Sequence, residues 1–313
     1  MAKKSKLILV FIATISFLLA LLITLYPLIS TWYNDRHQAQ IHVQYKEELN
    51  QKNDSEIQNA RKLAEAYNKA IAPGAQHPES FTQGALLLAA QNYDQLLNLA
   101  GNGIMGYVQI PSINVDLPIY HGTEDATLEA GIGHLLGSSL PVGGSSTHCV
   151  LTAHSGMASQ KLFSDLPQLA VGDVFYLEVL GEKLAYQVDQ IKTVLPHDTS
   201  FLGIADGKDY CTLVTCTPFG INTHRLLVRG TRIPYVEAEQ IVVDQTQKDS
   251  DSTVSDWEQD YLKGLYIGLA LLAVIALLTI IIYILSMKMF LQRNRIYSQI
   301  SIYSYNILDN HNI

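Results

Sequence analysis

Two long uncharged apolar segments, one near each end, constrain this 313-residue chain more than any other feature. Residues 7–31 and residues 264–287 contain no Asp, Glu, Lys or Arg. Each segment is long enough to cross the hydrocarbon core of a bilayer, which takes roughly 20 apolar residues. The sequence therefore predicts two transmembrane helices, with the 232 residues between them on one side of the membrane.

Positive charges beside these segments predict the orientation. Cytoplasmic flanks concentrate Lys and Arg, and both ends of the chain carry such residues: Lys3, Lys4, Lys6, Lys288, Arg293 and Arg295. We therefore expect residues 1–6 and 288–313 to be cytoplasmic and the intervening segment to be extracellular. A cleaved signal peptide is the alternative for residues 7–31, but the apolar run is long and no small-x-small cleavage site follows it. The pattern favours an uncleaved signal anchor.

The intervening segment is acidic and poor in cysteine. Residues 32–260 hold 14 Lys and Arg against 28 Asp and Glu, a net charge of −14. This charge argues against a nucleic-acid binder, which usually presents a basic face. Three cysteines are too few for a disulfide scaffold.

Residues 32–100 read as a helical extension. Apolar residues recur at helical spacing from Ile57 to Tyr67, and Ser55 with Gln58 predicts a capping box at the start. Pro73-Gly74 ends this helix, a loop follows over residues 74–83, and a second short helix is predicted to run to Leu97.

Residues 101–236 change to the alternating period of strands. The predicted strands are 113–119, 149–154, 174–180, 183–194, 210–216 and 225–233, with a hairpin turn at Gly181-Glu182. Many short strands joined by Gly- and Pro-rich links predict a β-barrel or sandwich. Residues 237–262 are acidic and read as a solvated stalk that leads to the second apolar segment.

The cysteines are the sharpest candidates for chemistry. Cys149 and Cys211 lie inside apolar runs and are interpreted as small buried hydrophobic residues. Cys211 and Cys216 are five apart, so one strand places them on opposite faces and they do not bond to each other. Cys216 precedes Thr217-Pro218 at a strand end, where a nucleophile is accessible.

A thiol nucleophile needs a base or a positive neighbour, because a free thiol is mostly protonated at neutral pH. His154 ends a predicted strand in the same way as Cys216. A hairpin centred between Gly220 and Ile221 places Arg225 opposite Cys216, with Cβ atoms roughly 5 Å apart. Arg225 can then stabilise a thiolate or an oxyanion.

Simpler interpretations of these residues stay open. A His at a strand end is often only exposed to solvent, and Arg225 can instead pair with Glu124, Asp173 or Asp189. The remaining histidines show no spacing typical of zinc ligands, and no metal or other cofactor is predicted.

At this point the motifs resemble those of the sortase family. TLVTCTP at 212–218 and GINTHRLLVRG at 220–230 are similar to the family's catalytic strand pair, and LTAHSG at 151–156 resembles its histidine motif. Further blocks match in order: IPSINVDLPIYHG, GHLLGSSLPVGG and LFSDLPQLAVGD. The resemblance covers roughly residues 104–235, and ordered blocks are more specific than one short motif. Two apolar segments and a helical extension resemble the pilus-building class C branch.

The resemblance implies a closed eight-stranded β-barrel with an N-terminal helical extension. It also implies a cysteine transpeptidase on the outer face of a Gram-positive membrane, which cleaves a Leu-Pro-x-Thr-Gly-like sorting signal between Thr and Gly. By motif, Cys216 is the nucleophile, His154 the general acid and base, and Arg225 the positioning and oxyanion residue. The implied partners are pilin subunits that carry the sorting signal, an acceptor pilin Lys amine and the lipid bilayer.

One departure from class C concerns the lid before the barrel. The family's Asp-Pro-aromatic motif is replaced here by His77-Pro78-Glu79, with Phe81 two residues further on. We therefore expect a weak or absent plug over residues 74–83 and a more open site. Strongly increased hydrolysis of a signal peptide after deletion of this loop contradicts that hypothesis.

Other functions remain as alternatives. A sortase that attaches surface proteins to peptidoglycan uses the same donor chemistry with another amine. A non-catalytic membrane scaffold that binds sorting signals is the alternative outside enzymes. A papain-like protease is disfavoured because its Cys precedes its His, whereas His154 precedes Cys216 here.

Overall fold

The computed structural model describes residues 2–72, 92–157, 160–248 and 256–309. The chain divides into two compact units. One comprises Met1–Tyr26 with Glu258–Ile313, and the other comprises Pro27–Trp257. The predicted lid residues His77, Pro78 and Phe81 lie outside the described residues, as does most of the predicted second short helix. At the end of that stretch, Tyr93–Gln95 forms a 3-10 turn.

Eight strands of the described chain close into one barrel, as predicted. Their order around the barrel is β1-β2-β3-β4-β7-β8-β6-β5. The bounds in chain order are β1 Ile104–Ile110, β2 Val115–His121, β3 Ile132–His134, β4 Thr147–Thr152, β5 Val174–Val179, β6 Glu182–Val194, β7 Asp209–Thr217 and β8 His224–Ile233. Two strand pairs are parallel, β2 with β3 and β4 with β7.

The alternation of side chains divides each strand between the barrel interior and its outer face. Leu151 on β4 and Leu213 on β7 belong to the main core, together with Cys149 and Cys211. Their neighbours Val150 and Val214 belong to a separate apolar cluster outside the barrel. Burial on both faces explains why these strands read as nearly continuous apolar runs.

The predicted hairpin at Gly181 forms, while two strands were not predicted. Val179 of β5 pairs with Glu182 of β6, and Leu180 and Gly181 between them both have positive φ. Such a two-residue turn matches the right-handed twist of the strands. The strands β1 and β3 lacked a clear signal, because β1 is apolar at almost every position and β3 has three residues.

The described part of the predicted helical extension contains the C-terminal part of helix α1, Ala2–Asn50, and the whole of helix α2, Asp54–Ile71. A capping box begins α2, but the predicted Ser55 and Gln58 are the wrong residues. Asn53 is the N-cap, and the Glu56 side chain bonds back to the Asn53 N–H at 3.0 Å. The sequence is ambiguous here because Asn also caps well. Helix α3, Asp125–Ala130, lies between β2 and β3.

A charged cluster fixes α1 to the outside of the barrel. His42 Nδ1 lies 3.0 Å from Asp116 Oδ2 of β2, and its Nε2 lies 3.6 Å from Glu178 Oε2 of β5. Lys46, one turn later, lies 3.3 Å from the same Glu178 carboxylate. The imidazole also stacks on Tyr107 of β1 at 3.9 Å. Burial by itself lowers the pKa of His42, but the two carboxylates outweigh burial and raise that pKa to about 9.

The predicted acidic stalk begins as a packed helix. Helix α4, Tyr235–Lys248, contains Ala238, which is fully buried against Val174, Tyr176 and Ala185 of the barrel. The interpretation of residues 237–262 as solvated throughout is therefore wrong for the first part, because one face of α4 is apolar enough to pack. Residues 249–255 lie outside the described chain.

One membrane span is supported among the described residues. Lys263–Arg293, within helix α5 (Asp256–Asp309), is long and apolar enough to cross a membrane by length and composition. At the other end, Phe11–Tyr26 and Ile29–Asn50 pass that test only together, with a bend of 47° between them. The first predicted span and the cytoplasmic placement of both termini therefore stay predictions.

We expect the His42 cluster to stabilise the fold below pH 9. A group whose pKa is raised on folding adds stability that is complete below its unfolded value of roughly 6.5 and is lost as pH rises through its folded value. The melting temperature of the full-length protein in detergent is the measurement. The advantage of the wild type over His42→Gln should shrink between pH 7 and pH 10.

His37 supplies the matched control, because it lies on the same helix and its side chain is exposed. The His37→Gln variant should follow the wild type at every pH. An unchanged gap between wild type and His42→Gln up to pH 10 contradicts the assignment of His42 as a charged partner.

Candidate active site

The three predicted functional residues lie at one end of the barrel's outer face. β4 pairs in parallel with β7, and β7 pairs antiparallel with β8. Cys216 is two residues after Val214 on β7, and Arg225 is two residues before Leu227 on β8. Their side chains therefore point to the outer face, as those of Val214 and Leu227 do. The site is therefore built on the outside of the barrel, next to its apolar outer cluster.

The predicted hairpin register of Cys216 and Arg225 is confirmed. Cys216 of β7 pairs directly with Arg225 of β8, and the next pair, Thr217 with His224, closes the ladder. Directly paired residues of antiparallel strands have Cβ atoms about 5 Å apart on the same face. Cys216 is a free thiol and is half-buried, so it is accessible to reagents.

The backbone register brings His154 level with Cys216, although the strand that precedes it ends two residues earlier than predicted. β4 ends at Thr152, which pairs with Val214 of β7. The backbone keeps this register beyond the strand, because Ala153 N donates to Val214 O at 3.1 Å. The same offset of 62 positions places His154 level with Cys216.

Side chains hold the backbone around these residues. The Ser155 hydroxyl donates to the Cys216 carbonyl at 2.7 Å, and the Thr215 hydroxyl donates to the Ala153 carbonyl at 2.8 Å. These two bonds tie the end of β4 to the end of β7 from both sides. They fix the histidine segment relative to the cysteine. Sequence reasoning missed both hydroxyls, although each is a direct neighbour of a predicted functional residue.

Two hydrogen bonds to residues 163 and 164 hold the turn that follows His154. Phe163 N donates to the His154 carbonyl at 3.0 Å, and Gly156 N donates to the Ser164 hydroxyl at 3.0 Å. Gly156 has a φ of +78°, and a Cβ there would lie 3.3 Å from the Phe219 ring. The positive φ favours glycine at this position, and any side chain there would also crowd the Phe219 ring.

Arg225 is oriented by backbone carbonyls. Its Nη1 donates to Asn222 O of the β7–β8 turn at 3.2 Å and to His224 O, at the start of β8, at 3.0 Å. One of the rival partners is excluded, because the Asp189 carboxylate accepts two bonds of 2.9 Å from Arg229. An arginine has five N–H donors, so its Nε and Nη2 groups are available in addition to the two Nη1 bonds.

Cys149 and Cys211 are buried, as predicted. They are register partners on β4 and β7, and their exposed fractions are 3% and 0%. Burial raises the pKa of the Cys211 thiol. Neither thiol is accessible to a substrate in this fold.

An apolar cluster on the outer face adjoins the site and was not predicted. Its buried members come from four strands, and two partly buried residues come from flanking loops: Val150, Val194, Val214, Leu227, Leu135 and Leu202. We refer to these six residues as the outer cluster. Cys149 and Val150, and likewise Leu213 and Val214, are consecutive apolar residues that point to opposite faces of a strand. This pattern was a sequence signal that the outer face of the barrel, as well as the core, is buried.

Comparison with known proteins places the barrel in one family. The sequence model of the sortase domain matches residues 108–233. The chain is 44% identical to a crystal structure described as sortase C1 from Streptococcus agalactiae, with a TM-score of 0.55. The alignment covers 62% of this chain and 98% of that one. The chain belongs to the sortase family.

Further relatives agree with the sortase assignment. The crystal structure of Streptococcus pneumoniae sortase C is 43% identical, with a TM-score of 0.55, and the alignment covers 63% of this chain and 97% of that one. Sortase D of Bacillus subtilis is 31% identical over 131 residues, which are 41% of this chain and 63% of that protein. The chain thus spans less than two thirds of that curated relative. The structural neighbours are class C sortases, and sortases are cysteine transpeptidases.

We expect Cys216 to be the only thiol that reacts in the folded sortase, because the other two thiols are buried. Intact mass measurement after brief treatment of the full-length protein with iodoacetamide should show one adduct. The adduct should be absent from Cys216→Ala and present in Cys149→Ala. Under denaturing conditions the wild type should take three adducts. Labelling of Cys149 or Cys211 before Cys216 contradicts the described burial.

Proposed function

We propose that this sortase is a membrane-held transpeptidase that joins pilin subunits. The observation that carries the proposal is the placement of Cys216 between Arg225, its register partner, and His154, level with it on the neighbouring strand. The backbone hydrogen bonds described above position all three residues before any substrate arrives. Such preorganisation lowers the cost of reaching a transition state.

The chemistry has two acyl transfers. The Cys216 thiolate attacks the carbonyl carbon of Thr in a Leu-Pro-x-Thr-Gly-like signal, forms a thioester and breaks the Thr–Gly bond. His154 donates a proton to the leaving Gly amine. A neutral Lys amine of the next subunit then attacks the thioester and gives a proton to the now neutral His154. The isopeptide bond forms as the C–S bond breaks, and the Cys216 thiolate is released. The thioester retains the energy of the peptide bond, so no nucleotide is required.

Arg225 suits the role of oxyanion stabiliser. The negative charge that develops on the Thr carbonyl oxygen needs fixed donors in a partly dry site. The two carbonyl contacts of Nη1 hold the guanidinium group, since one carbonyl lies in the short β7–β8 turn and the other at the start of β8. Arg225 cannot act as a base, because it remains charged at all relevant pH values.

The outer cluster suits the apolar end of the signal. Thr and Leu of a Leu-Pro-x-Thr segment are three residues apart, which spans roughly 10 Å when extended. Along β7, Val214 is two residues from Cys216 and Thr212 is four, so roughly 7–13 Å separate them from the nucleophile. A Leu side chain therefore reaches the level of the outer cluster while the Thr carbonyl lies at Cys216.

The proposed site of action is the outer face of a membrane. The apolar span Lys263–Arg293 supports an anchor at the C-terminal end. Residues 7–31 supply the second anchor in this proposal, with both termini in the cytoplasm. Tethering raises the effective concentration of a slow enzyme near substrates that are themselves held at the membrane.

Similarity to class C sortases supports a pilin Lys as acceptor. The Streptococcus pneumoniae sortase C structure is described as giving insight into the pilin substrate specificity of that protein. Attachment to peptidoglycan uses the same donor half-reaction, so the catalytic residues do not separate the two functions. The acceptor decides between them.

A covalent intermediate is the first expected outcome. The full-length protein in detergent is mixed with a Leu-Pro-x-Thr-Gly peptide and examined by intact mass spectrometry. The adduct should equal the peptide cut after Thr. Cys216→Ala should give none, and Arg225→Lys should slow its formation by about 100-fold, in the range for loss of an oxyanion donor. A wild-type protein that forms no adduct with any such peptide refutes the transpeptidase function.

The acceptor test uses competition. A pilin-derived peptide with one Lys and a peptidoglycan stem peptide are supplied together at equal concentration to the acyl-enzyme. We expect the Lys isopeptide to dominate the products by at least about tenfold, which corresponds to roughly 1.4 kcal/mol of discrimination. A Lys→Arg acceptor peptide should give no product, because a guanidinium is not a nucleophile at this pH. Preference for the stem peptide favours wall anchoring instead.

A further inference from the structure

Two loops contribute side chains to the outer cluster, Leu135 from the β3–β4 loop and Leu202 from the β6–β7 loop, and the second loop is weakly attached. The β6–β7 loop, residues 195–208, contributes Leu202 to the outer cluster, and most of its other residues are exposed. Its internal bonds are short-range turns, such as Leu202 N to Thr199 O at 3.0 Å. Its base is tied to the barrel by Ser146, whose hydroxyl bonds Asp206 and Gly207.

Over residues 195–205, all of which are described, one hydrogen bond runs from the loop to the barrel. His148 of β4 is 1% exposed, and its Nδ1 lies 2.9 Å from the Gly203 carbonyl. Its Nε2 lies 2.7 Å from the Thr212 hydroxyl of β7. His148 therefore links Gly203 of the loop to strands β4 and β7 of the barrel.

The two hydrogen bonds define the tautomer of the His148 imidazole. A carbonyl only accepts, so Nδ1 carries the proton that is donated to Gly203. In a neutral ring, Nε2 then accepts from the Thr212 hydroxyl. Burial lowers the pKa of His148, in a setting that includes Arg229 of β8, Asp189 of β6 and the Tyr210 ring. The imidazole is therefore neutral, and each of its two nitrogens makes a hydrogen bond.

We propose that His148 is a positioning residue for binding of the donor signal to the outer cluster, because it holds the loop that places Leu202 on that cluster. The inference rests on the proposed function. His148 is six residues before His154 on the same side of β4, roughly 20 Å away at 3.3 Å per residue. It therefore does not touch the reacting atoms and acts through the loop. Its loss should weaken binding of the donor signal and leave the thioester chemistry and the acceptor step intact.

Kinetics of the two half-reactions provide the test. Because the proposed reaction passes through a free acyl-enzyme, kcat/KM for the donor peptide and kcat/KM for the Lys acceptor report different steps. In the full-length protein, His148→Phe should lower the donor kcat/KM by about tenfold through KM, with the acceptor kcat/KM and the saturated acylation rate within about twofold. His148→Asn should recover most of the loss, since its amide nitrogen can still donate to the Gly203 carbonyl.

His121→Phe is the matched control. Like His148, His121 has a polar partner at each ring nitrogen, here the carbonyls of Gly103 and Leu96, but it lies on β2 away from the loop. This variant should change neither kcat/KM by more than about twofold. Equal losses in the donor and acceptor values for His148→Phe indicate a smaller active fraction and overturn the proposal, as does an unchanged donor KM.

Amide hydrogen exchange separates this inference from the proposed function. His148→Phe should speed exchange over residues 195–208 and not over β1 or β2. An unchanged rate in the loop overturns the proposal whatever the kinetics show. A wild-type protein without thioester formation, but with a loop that loosens in His148→Phe, refutes the proposed function while it confirms that His148 anchors the loop.

Discussion

The parallel pairing of β4 with β7 is the interaction on which the site depends. Parallel neighbours are joined by long connections, so residues 62 positions apart in the sequence become neighbours. This register brings His154 level with Cys216, and the antiparallel β7–β8 pair then adds Arg225. A slip of one residue in either ladder would move a functional side chain to the opposite face. The hydrogen bonds donated by the Ser155 and Thr215 hydroxyls stabilise the correct register where the strands end.

The sequence predicted local pairs more successfully than distant ones. The Cys216–Arg225 register followed from the length of one hairpin, and the burial of Cys149 and Cys211 followed from their apolar neighbours. The closed barrel came from the family resemblance, because alternation alone left a barrel and a sandwich open. The parallel β4–β7 register has no local signature, so residues alone gave no reason to join His154 to Cys216.

The remaining errors have local physical causes. β1 was missed because almost every position is apolar, which is the pattern of a strand buried on both faces. The capping box of α2 was shifted by two residues because Asn53 and Ser55 are both good caps. The packed face of α4 was hidden by its acidic composition, because only the buried Ala238 and the partly buried Ile241 and Val242 form it among the described residues. Composition reports the exposed face of such a helix better than its buried one.

The placement of the site on the outer face has a consequence for engineering the protein. The side chains that fill the barrel interior and those that meet a substrate are separate sets, because neighbouring residues of each strand point to opposite sides. Interior residues such as Leu151 and Leu213 can be exchanged to tune thermal stability without rebuilding the reactive surface. The outward Val150 and Val214 are also buried, in the outer cluster, so changes there alter packing together with the proposed substrate surface. The strand alternation thus lets the interior be redesigned separately from the reactive surface, but not the reverse.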